Sequence, residues 1–222
     1  MEQTTVLLYA AAVTPLADPE ALARACALVS PARRQKAEAL RRPEDRWRSL
    51  AAGLLLRHAL AVLGIDPAEP VTDPYGKPYL PGGPAFSLSH SGDYALCAVA
   101  ERDVGCDIQR IGGFDERLAR RCLTRAEYAD VLAQADPGAR ALRFYRYWTL
   151  KESFIKAVGL GLRLPLREID IRLGPPPALR QQADGRDFGL AEFDALPGYC
   201  CALCAGSGCG DVALELIPLP LK

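Results

Sequence analysis

The segment Phe144–Leu162 has the periodicity of a helix that packs into the core of a folded protein. At about 100° per residue, several of its apolar side chains gather on one broad face: Phe144, Tyr147, Trp148, Phe154, Ile155 and Val158. Gly159 and Gly161 predict the end of this helix, because glycine accepts the left-handed conformation of a helix cap. Pro165 then opposes a return to helix, because proline has no backbone N–H. We therefore expect a core helix that ends near Val158.

Three charged residues on this predicted helix allow two interpretations. Glu152 and Lys156 are four residues apart and are therefore neighbours on a flank of the apolar face. Such pairs are common on helix surfaces, so the plain interpretation is a core helix with a surface ion pair. Lys151 weakens this plain interpretation, because it points into the apolar arc, where an unpaired ammonium group is costly. Together with Asp107 in an upstream strand, these residues indicate a functional site instead.

The composition is that of a folded protein without net charge. The chain has 222 residues, of which 50% are hydrophobic and 24% charged, enough for one large domain or two small ones. Its 27 basic and 27 acidic residues give no general reason to expect binding to nucleic acid or to a membrane. Basic residues do dominate the segment 33–57. That local excess indicates either a site for a small anion or a solvated helix face.

The apolar run VLLYAAAV at 6–13 is short even for the core of a signal peptide, and we expect it to form the first β-strand. No run in the sequence approaches the roughly 18 apolar residues of a membrane-spanning helix. We therefore expect a cytoplasmic protein.

The eight cysteines do not form the pattern of a zinc site. Cys201 and Cys204 have C-x-x-C spacing, but the sequence around them, YCCALCA, is typical of a strand. Positions three apart in a strand face opposite sides, so these two thiols would not share an ion. We expect buried, reduced thiols.

Turn signals divide the rest of the chain into short elements. We expect helices at 18–29, from Ser30-Pro31 onward, at about 44–63 and, in one or two pieces, at 114–133, where Thr124 and Glu127 have the spacing of a capping box. A polar break at 134–138 precedes the central helix. We expect strands in a hairpin at 86–100 and at 104–109, 164–173, 188–193, 198–205 and 212–217. Helices combined with antiparallel strands predict the α+β class.

Polar groups cluster in two turns of the first half. The segment 67–84 is rich in proline and glycine and contains YGKP at 75–78, a turn that presents Lys77. Most turns of this kind are only structural. Ser89, His90 and Ser91 lie close to the turn of the predicted hairpin. A histidine in a turn is usually structural as well, but these groups beside a lysine turn also suit phosphate oxygens.

The strand at 104–109 carries two oxygen-bearing side chains on one face. Val104, Cys106 and Ile108 point one way, and Asp107 and Gln109 point the other. An aspartate on the polar face of an edge strand is usually solvated. The alternative is a hard cation such as Mg²⁺, which prefers oxygen ligands.

Four motifs occur in a fixed order along the chain. They are YGKP at 75–78, FSLSHSG at 86–92, VGCDI at 104–108 and WTLKESFIKAVGLGL at 148–162. In this order and at these separations they resemble the 4′-phosphopantetheinyl transferases, specifically their larger, monomeric class typified by the activator of surfactin synthetase. The resemblance extends from about Arg33 to the strand that ends near Ala205.

The resemblance implies a fold and a division of the chain. The fold would be a pseudo-dimer of two similar α+β subdomains, each a small antiparallel sheet packed with helices. Residues 1–103 would hold the nucleotide part of coenzyme A, and residues 104–222 would carry the metal-binding and catalytic part. Coenzyme A and Mg²⁺, or Mn²⁺ in its place, would lie in the cleft between the two.

The resemblance also assigns roles to individual residues. Asp107 and Glu152 match acidic metal ligands, and Gln109 stands at a third ligand position where the family often has glutamate. Lys151 matches a family lysine whose role the sequence leaves open. The positions that match coenzyme A contacts are Arg33, Lys36, Ser49, Tyr75, Gly76, Lys77, Ser89, His90, Asp107, Glu152 and Lys156.

The implied reaction transfers 4′-phosphopantetheine from coenzyme A to a serine of an apo acyl, peptidyl or polyketide carrier protein and releases adenosine 3′,5′-bisphosphate. Asp107, Glu152 and Lys156 form the catalytic set. Glu152 would accept the serine proton, directly or through a water on the metal, and Lys156 would stabilise phosphate charge. We expect a monomer that binds no nucleic acid and docks carriers through an apolar surface near 114–123.

Two other functions compete with this one. The first is a non-catalytic module that binds coenzyme A or a carrier, with Gln109 marking a degraded metal site. The second is a nucleotide-dependent kinase or ATPase. The sequence contains no G-x-x-x-x-G-K-[ST] loop, and its Gly159-x-Gly161 follows a helix instead of a strand, so this second alternative has little support.

Overall fold

The computed structural model describes residues 6–180, 186–206, 208–210 and 212–222. Within these ranges the α-helices are α1 (Pro19–Leu28), α2 (Pro31–Glu38), α3 (Pro43–Val62), α4 (Glu116–Cys122), α5 (Arg125–Leu132) and α6 (Pro137–Val158). The strands are β1 (Val6–Ala12), β2 (Val71–Thr72), β3 (Pro78–Tyr79), β4 (Ala85–Ser91), β5 (Tyr94–Ala100), β6 (Val104–Arg110), β7 (Ile171–Arg172), β8 (Ala178–Leu179), β9 (Phe188–Phe193), β10 (Tyr199–Gly206) and β11 (Leu214–Leu216). Short 3₁₀ helices occupy Thr14–Ala17, Gly161–Arg163 and Leu166–Glu168.

The strands form two principal sheets. The first has the order β11-β1-β5-β4 and the second has the order β6-β10-β9. Neighbouring strands run antiparallel except β11, which pairs parallel with β1 and places Leu214 opposite Leu8. This architecture confirms the predicted α+β class. The C-terminal strand nevertheless belongs to the first sheet, and the division into 1–103 and 104–222 stays a prediction.

Alternation along the strands places each sheet between two apolar layers. On β1, Tyr9 belongs to the core formed with α3, whereas Leu8 faces the second sheet. On β10, Cys204 belongs to the core formed with α6, whereas Leu203 faces the first sheet. The layers therefore follow one another as α3, first sheet, second sheet and α6.

Side-chain caps start the helices that the sequence predicts. Asp18 caps α1 by accepting the backbone N–H of Ala21 at 2.8 Å, and Ser30 caps α2 in the same way. At α5, Thr124 and Glu127 form the predicted capping box. Each cap satisfies an N–H group that has no partner inside the helix. Among the described residues, no helix is both long and apolar enough to span a membrane.

Helix α6 is longer than the predicted central helix. The sequence suggested a break over 134–138, but α6 begins inside that segment, at its proline. Proline suits the first helical position, because the N–H that it lacks would have no partner there. Asp136 caps this end by accepting a backbone N–H of the first turn at 2.9 Å. The other end is as predicted, with Val158 last and Gly159 at a φ of 81°.

The strand predicted at 164–173 is wrong over most of its length. Leu166–Glu168 is a 3₁₀ helix, and only the two residues of β7 pair as a strand, with β8. The alternation that suggested a strand instead reflects burial of Ile169 and Ile171 in the core formed with α6. Backbone bonding here is local, since the N–H of Ile169 donates to the carbonyl of Leu166 at 3.2 Å.

Strands β4 and β6 are adjoining edge strands of the two sheets. They are joined by hydrogen bonds from backbone N–H groups to serine side chains instead of by backbone pairing. Alternate serines of β4 accept backbone N–H groups of β6, namely Ser87 from Cys106 at 3.0 Å, Ser89 from Ile108 at 3.3 Å and Ser91 from Arg110 at 3.0 Å. We call these three bonds the serine ladder. The ladder satisfies N–H groups on an edge of the second sheet and holds β4 in register with β6.

The cysteines in the described residues are free thiols. Cys201 lies in the core between the two sheets, and Cys204 lies in the core formed with α6. This placement confirms the prediction that the two side chains face opposite sides of one strand.

Candidate active site

A cleft of about 490 Å³ opens where β4, β6 and α6 come together, with residues of α2 on its wall. It is lined by nine of the residues predicted to form the site: Arg33, Lys36, Gly76, Ser89, His90, Asp107, Gln109, Glu152 and Lys156. The structure thus gathers side chains from both sheets and from a core helix. Their individual roles stay predictions.

Asp107 is the buried acid of this cleft. Its neighbours on β6, Cys106 and Ile108, fill the core between the sheets, so Asp107 faces α6. Its Oδ1 atom accepts hydrogen bonds from Ser89 Oγ and from Lys156 Nζ, both at 2.7 Å. Its Oδ2 atom is buried and has no hydrogen-bond partner among the residues that the structure describes. A carboxylate oxygen in that state is costly unless a ligand binds it.

Glu152 is the second acid, half-buried on α6 one turn before Lys156. Burial raises the pKa of Glu152, and the negative charge of Asp107 raises it further, against the opposing effect of Lys156. Two carboxylates in one cleft repel each other, and a bound cation would relieve that repulsion.

Lys156 supplies the positive charge between the acids and the strand. Its ammonium donates to Asp107 Oδ1 at 2.7 Å and to the carbonyl of Cys106 at 3.0 Å. Burial by itself would lower the pKa of Lys156, but the negative charges around it, Asp107 foremost, outweigh burial and raise that pKa. The ammonium therefore stays charged at neutral pH, as a group that binds phosphate must.

Three other residues that line the cleft are less buried than Asp107. Gln109 is half-buried on the same face of β6 as Asp107, which places its amide beside the acids. His90 is exposed, and neighbouring atoms that partly displace its hydration lower its pKa, as do the charges of Arg48 and Lys156. Trp148 also lines the cleft, although the sequence pattern assigned it to the apolar face of the helix. The position of Trp148 at the border of the apolar face is the sequence signal that could have identified it as a cleft residue.

Basic side chains of α2 form one wall of the cleft. Arg33 is half-buried, and burial lowers the pKa of its guanidinium group. Its aliphatic stem lies against Gly53 of α3, where a Cβ atom would stand 3.0 Å from Arg33 Cγ. Lys36, one turn further along α2, is exposed. The predicted cationic surface thus faces the two acids across the cleft.

The predicted lysine turn borders the cleft through a smaller apolar pocket of about 220 Å³. Tyr75, Gly76 and Lys77 line this pocket, and Gly76 lines the cleft as well. The Lys77 ammonium donates to the carbonyl of Ala157 at 2.8 Å, in the last turn of α6, and burial lowers its pKa. Lys77 therefore caps the C-terminus of α6, where cations are favoured. Its contact with coenzyme A stays a prediction.

Ser49 lies apart from the residues that line the cleft. It is buried on α3, and within the described ranges its hydroxyl oxygen has no hydrogen-bond partner. Its position near the basic wall follows from the packing of α2 on α3, but the structure does not bring it to the cleft surface. Its assignment as a coenzyme A contact stays a prediction.

Lys151 belongs to the core instead of the cleft. Its ammonium pairs with Glu127 at 2.5 Å and donates to the carbonyls of Cys122 and Leu166, each at 3.0 Å. Both side chains of the pair are at most 1% exposed. The second carboxylate oxygen of Glu127 accepts the N–H of Ile171 at 2.9 Å. The role that the sequence left open is thus an internal one, which ties α5 and the segment after α6 to the middle of α6.

The oxygen atoms of the cleft suit a divalent cation. No group of three or more His, Cys, Asp or Glu side chains in the described part of the chain is placed to hold a metal. The candidate set instead combines two carboxylates with one amide, from Asp107, Glu152 and Gln109. The unpartnered Oδ2 of Asp107 is the observation that favours a cation here, and oxygen donors are those that Mg²⁺ prefers.

A larger depression, of about 770 Å³, lies elsewhere, between α6, β9 and the loop 173–177. None of the predicted site residues lines it. Arg146 on its wall is already paired with Glu192 through hydrogen bonds of 2.8 and 2.7 Å. The smaller cleft, which concentrates the acids and the basic groups, is therefore the candidate site.

Comparison with protein families matches two consecutive parts of the chain. Residues 30–100 match the 4′-phosphopantetheinyl transferase N-terminal domain, and residues 103–204 match the 4′-phosphopantetheinyl transferase superfamily. The second match includes β6 and α6, which carry both acids of the cleft.

Known proteins are similar over most of their length. A 4′-phosphopantetheinyl transferase of Bacillus subtilis is 36% identical over 189 residues, which cover 82% of this chain and 84% of the relative. The 4′-phosphopantetheinyl transferase Sfp of Bacillus subtilis strain 168 is 32% identical with the same coverage. The 4′-phosphopantetheinyl transferase psf-1 of Bacillus pumilus is 34% identical over 220 residues, which cover 95% of this chain and 94% of the relative. On this evidence, and as its motifs predicted, the chain belongs to the 4′-phosphopantetheinyl transferase superfamily.

Proposed function

We propose that this chain transfers the 4′-phosphopantetheine group of coenzyme A to a serine side chain of apo carrier proteins. The observation that carries the proposal is the cleft in which Asp107, Glu152 and Lys156 converge from a strand and a helix beside the basic wall of α2. A charged diphosphate requires preorganised groups of this kind at its reacting centre. Membership of the family supports the same reaction.

Coenzyme A would bind along the wall that α2 and the lysine turn provide. Arg33, Lys36 and His90 would hold the nucleotide phosphates, because they are basic side chains that line the cleft and none of them is paired with Asp107 as Lys156 is. The apolar pocket beside Tyr75 and Gly76 suits the uncharged base, since pockets for ligands combine apolar walls with a few polar groups.

Asp107 and Glu152, with Gln109 as third ligand, would hold a divalent ion, Mg²⁺ or Mn²⁺. Such an ion, when bound, would neutralise charge on the diphosphate and favour its approach to the two acids. The protein's part is to fix the oxygen donors: Asp107 is held by two hydrogen bonds and Glu152 by its place on α6.

In the transfer, the serine oxygen of the carrier forms a bond to the β-phosphorus of coenzyme A. The bond from that phosphorus to the bridging oxygen breaks, and adenosine 3′,5′-bisphosphate leaves with the electron pair. Glu152 takes the serine proton, and its raised pKa suits that role. Lys156 stabilises the charge on the phosphate oxygens, because its ammonium stays protonated within the cleft.

A loading assay tests the proposed function. The protein is incubated with coenzyme A, Mg²⁺ and an apo carrier, and the carrier is then examined by mass spectrometry for added phosphopantetheine. Glu152→Gln keeps the shape of the side chain but removes the base, so the rate should fall by roughly 10²–10⁴-fold. Glu20→Gln, at an exposed glutamate of α1, serves as the matched control and should load at the normal rate.

Two outcomes would count against the proposal. Normal turnover by Glu152→Gln would refute its assignment as the base. Failure of the unaltered protein to load any carrier, with coenzyme A still bound, would favour the competing binding module, in which Gln109 marks a degraded metal site.

We infer that the enzyme modifies a broad range of partners, namely acyl, peptidyl and polyketide carriers. We also infer that it is a monomer and that it acts in the cytoplasm. The free thiols of the described residues support a reducing compartment. Loading assays across several apo carriers, and sedimentation of the protein alone, test the partner range and the oligomeric state.

A further inference from the structure

Ser89 makes a contact that its two neighbours in the serine ladder do not make. Ser87 and Ser91 accept backbone N–H groups of β6, and neither is hydrogen-bonded to a carboxylate of the described residues. Ser89 accepts the N–H of Ile108 at 3.3 Å and also donates its only hydroxyl hydrogen to Asp107 Oδ1 at 2.7 Å. Both bonds of this hydroxyl therefore lead to β6, and its hydrogen is not available to a phosphate oxygen.

The two oxygens of the Asp107 carboxylate are not equivalent as a result. Oδ1 receives the hydroxyl of Ser89 and the ammonium of Lys156, each at 2.7 Å. Oδ2 is buried and receives no hydrogen bond from the described part of the chain. The side chain of Asp107 is only 8% exposed. Burial and the two bonds to Oδ1 therefore fix the carboxylate in place and leave Oδ2 able to bind a ligand. Hydrogen bonds to one carboxylate oxygen orient the other toward a ligand.

We propose that Ser89 is a positioning residue for Asp107, which turns the carboxylate so that Oδ2 is the oxygen presented to a divalent cation. This inference rests on the proposed function, since it concerns the metal set of the same cleft. It replaces the role that the sequence predicted for Ser89, which was direct contact with a nucleotide phosphate. The two roles make opposite predictions for metal and for coenzyme A.

The test measures metal and coenzyme A separately. Mn²⁺ binding is followed by water-proton relaxation in the presence of saturating coenzyme A and without a carrier, and a blank with coenzyme A alone is subtracted. Coenzyme A binding is measured by calorimetry in EDTA. Ser89→Ala should weaken Mn²⁺ binding by about 10–100-fold, the usual effect of removing a hydrogen bond to a metal ligand. Its affinity for coenzyme A in EDTA should match that of the unaltered protein.

Two matched variants separate this role from a merely structural one. Ser91→Ala removes a rung of the same ladder, the bond from Arg110 N–H, but no carboxylate contact, so its Mn²⁺ affinity should be normal. Ser89→Thr keeps a hydroxyl group and should restore most of the Mn²⁺ affinity that Ser89→Ala loses. Thermal unfolding of each variant shows whether it is folded at the temperature of the measurement.

Each alternative result has a distinct meaning. Weaker binding of coenzyme A in EDTA by Ser89→Ala, with normal Mn²⁺ affinity, would overturn the proposal in favour of a phosphate ligand. An equal loss of Mn²⁺ by Ser91→Ala would show that the ladder, and not the carboxylate contact, matters. Absence of Mn²⁺ binding and of carrier loading in the unaltered protein would refute the proposed function and this inference together. Normal loading and Mn²⁺ binding, unchanged in Ser89→Ala, would refute the inference alone.

Discussion

Gln109 makes the candidate metal site less negative than a set of three carboxylates would be. Asp107 and Glu152 contribute two negative charges, and Lys156 offsets one of them through its contact with Asp107. The free energy of holding a divalent cation depends directly on the charge of its ligands. The choice of an amide at this position is therefore expected to set a lower affinity for metal.

Gln109→Glu should tighten metal binding and leave the fold unchanged. One added charge near a divalent ion at a half-buried position should lower the Mg²⁺ concentration for half-maximal carrier loading by about tenfold, equivalent to about 1.4 kcal/mol. A Mg²⁺ titration of the loading rate measures the effect. Gln109→Ala is the companion variant, and it should weaken binding if the amide is a ligand. An unchanged Mg²⁺ dependence in both variants would remove residue 109 from the metal set.

If His90 holds a phosphate of coenzyme A as proposed, the binding of coenzyme A should depend on pH. Its pKa lies below the ordinary value in the free protein, so the imidazole is neutral at neutral pH. A bound phosphate would favour the charged form and raise the pKa, so binding takes up a proton. Affinity should therefore increase as the pH falls from the raised pKa of the complex to the lowered pKa of the free protein.

Calorimetry of coenzyme A binding in EDTA over mildly acidic to neutral pH measures this effect. His90→Gln cannot gain the charge, so its affinity should show only the pH dependence that coenzyme A and the other titratable groups of the cleft contribute. The difference between the two pH profiles reports His90. Identical slopes in both proteins would exclude the histidine from contact with phosphate.

Among the secondary-structure elements, the contact between β6 and α6 determines whether the site can form at all. Gly105 of β6 lies directly under α6, where a Cβ atom would be 2.0 Å from the carbonyl oxygen of Ser153 and 2.4 Å from the backbone nitrogen of Ala157. These are backbone atoms and cannot turn aside as a side chain could. Only glycine therefore allows the spacing at which Lys156 reaches Asp107.

Gly105→Ala should push α6 away from the second sheet. We expect a loss of about 3 kcal/mol in the free energy of unfolding, at the upper end of the usual cost of overpacking. Carrier loading in the folded fraction should fall by about 10²-fold, because small displacements of catalytic groups are costly. Urea unfolding and the loading assay measure the two effects. Gly113→Ala is the control, since a Cβ atom there meets nothing within 4 Å, and equal stability of the two variants would contradict this account.

The elements that the sequence predicted best are those whose signals are local. Asp18, Ser30 and Thr124 act on backbone groups within a few residues, and their helices begin where the sequence indicates. The extent of α6 and the wrongly predicted strand at 164–173 both depend on tertiary packing. In 164–173, apolar residues alternate because they pack into the core formed with α6, although the backbone there includes a 3₁₀ helix. Periodicity alone does not separate these cases.

In the candidate site, too, local features were predicted from the sequence and contacts between distant residues were not. The motifs identified the side chains that meet in the cleft, because a motif is defined by the types of its residues and by their order along the chain. They did not reveal that Lys151 is neutralised by Glu127, or that Lys77 caps α6, since each partner lies far away in the sequence. Nor did FSLSHS at 86–91 reveal the serine ladder, although serine at every second position is its visible signal.

At the scale of the whole molecule, the cleft belongs to neither sheet alone. Ser89 comes from an edge strand of the first sheet, and Asp107 comes from an edge strand of the second. The two sheets also share the core between them. Stability of either sheet therefore contributes to the geometry of the site.

The C-terminal segment should be essential to the first sheet. Strand β11 pairs with β1, and Ile217, Leu219 and Leu221 pack against the core formed with α3. Ending the chain after Gly210 should reduce the free energy of unfolding by about 3 kcal/mol, from roughly 1 kcal/mol for each half-buried aliphatic side chain. It should also expose the edge of β1 and promote aggregation. Thermal unfolding and light scattering measure both effects.

A point substitution in the complete chain separates strand pairing from apolar packing. Leu219→Ser lies beyond β11, so it should lower stability by about 1 kcal/mol without aggregation. If the shortened chain were as stable as the complete one, the contacts of this segment would be dispensable.

The parallel pairing of β11 with β1 also bears on how the protein is made. Along the chain, β11 comes after every strand of the second sheet, whereas β1, β4 and β5 come before them. During translation the first sheet consequently gains its fourth strand only after the strands of the second sheet have been made, so its completion comes later than the usual N-terminus-first order of domain folding would place it.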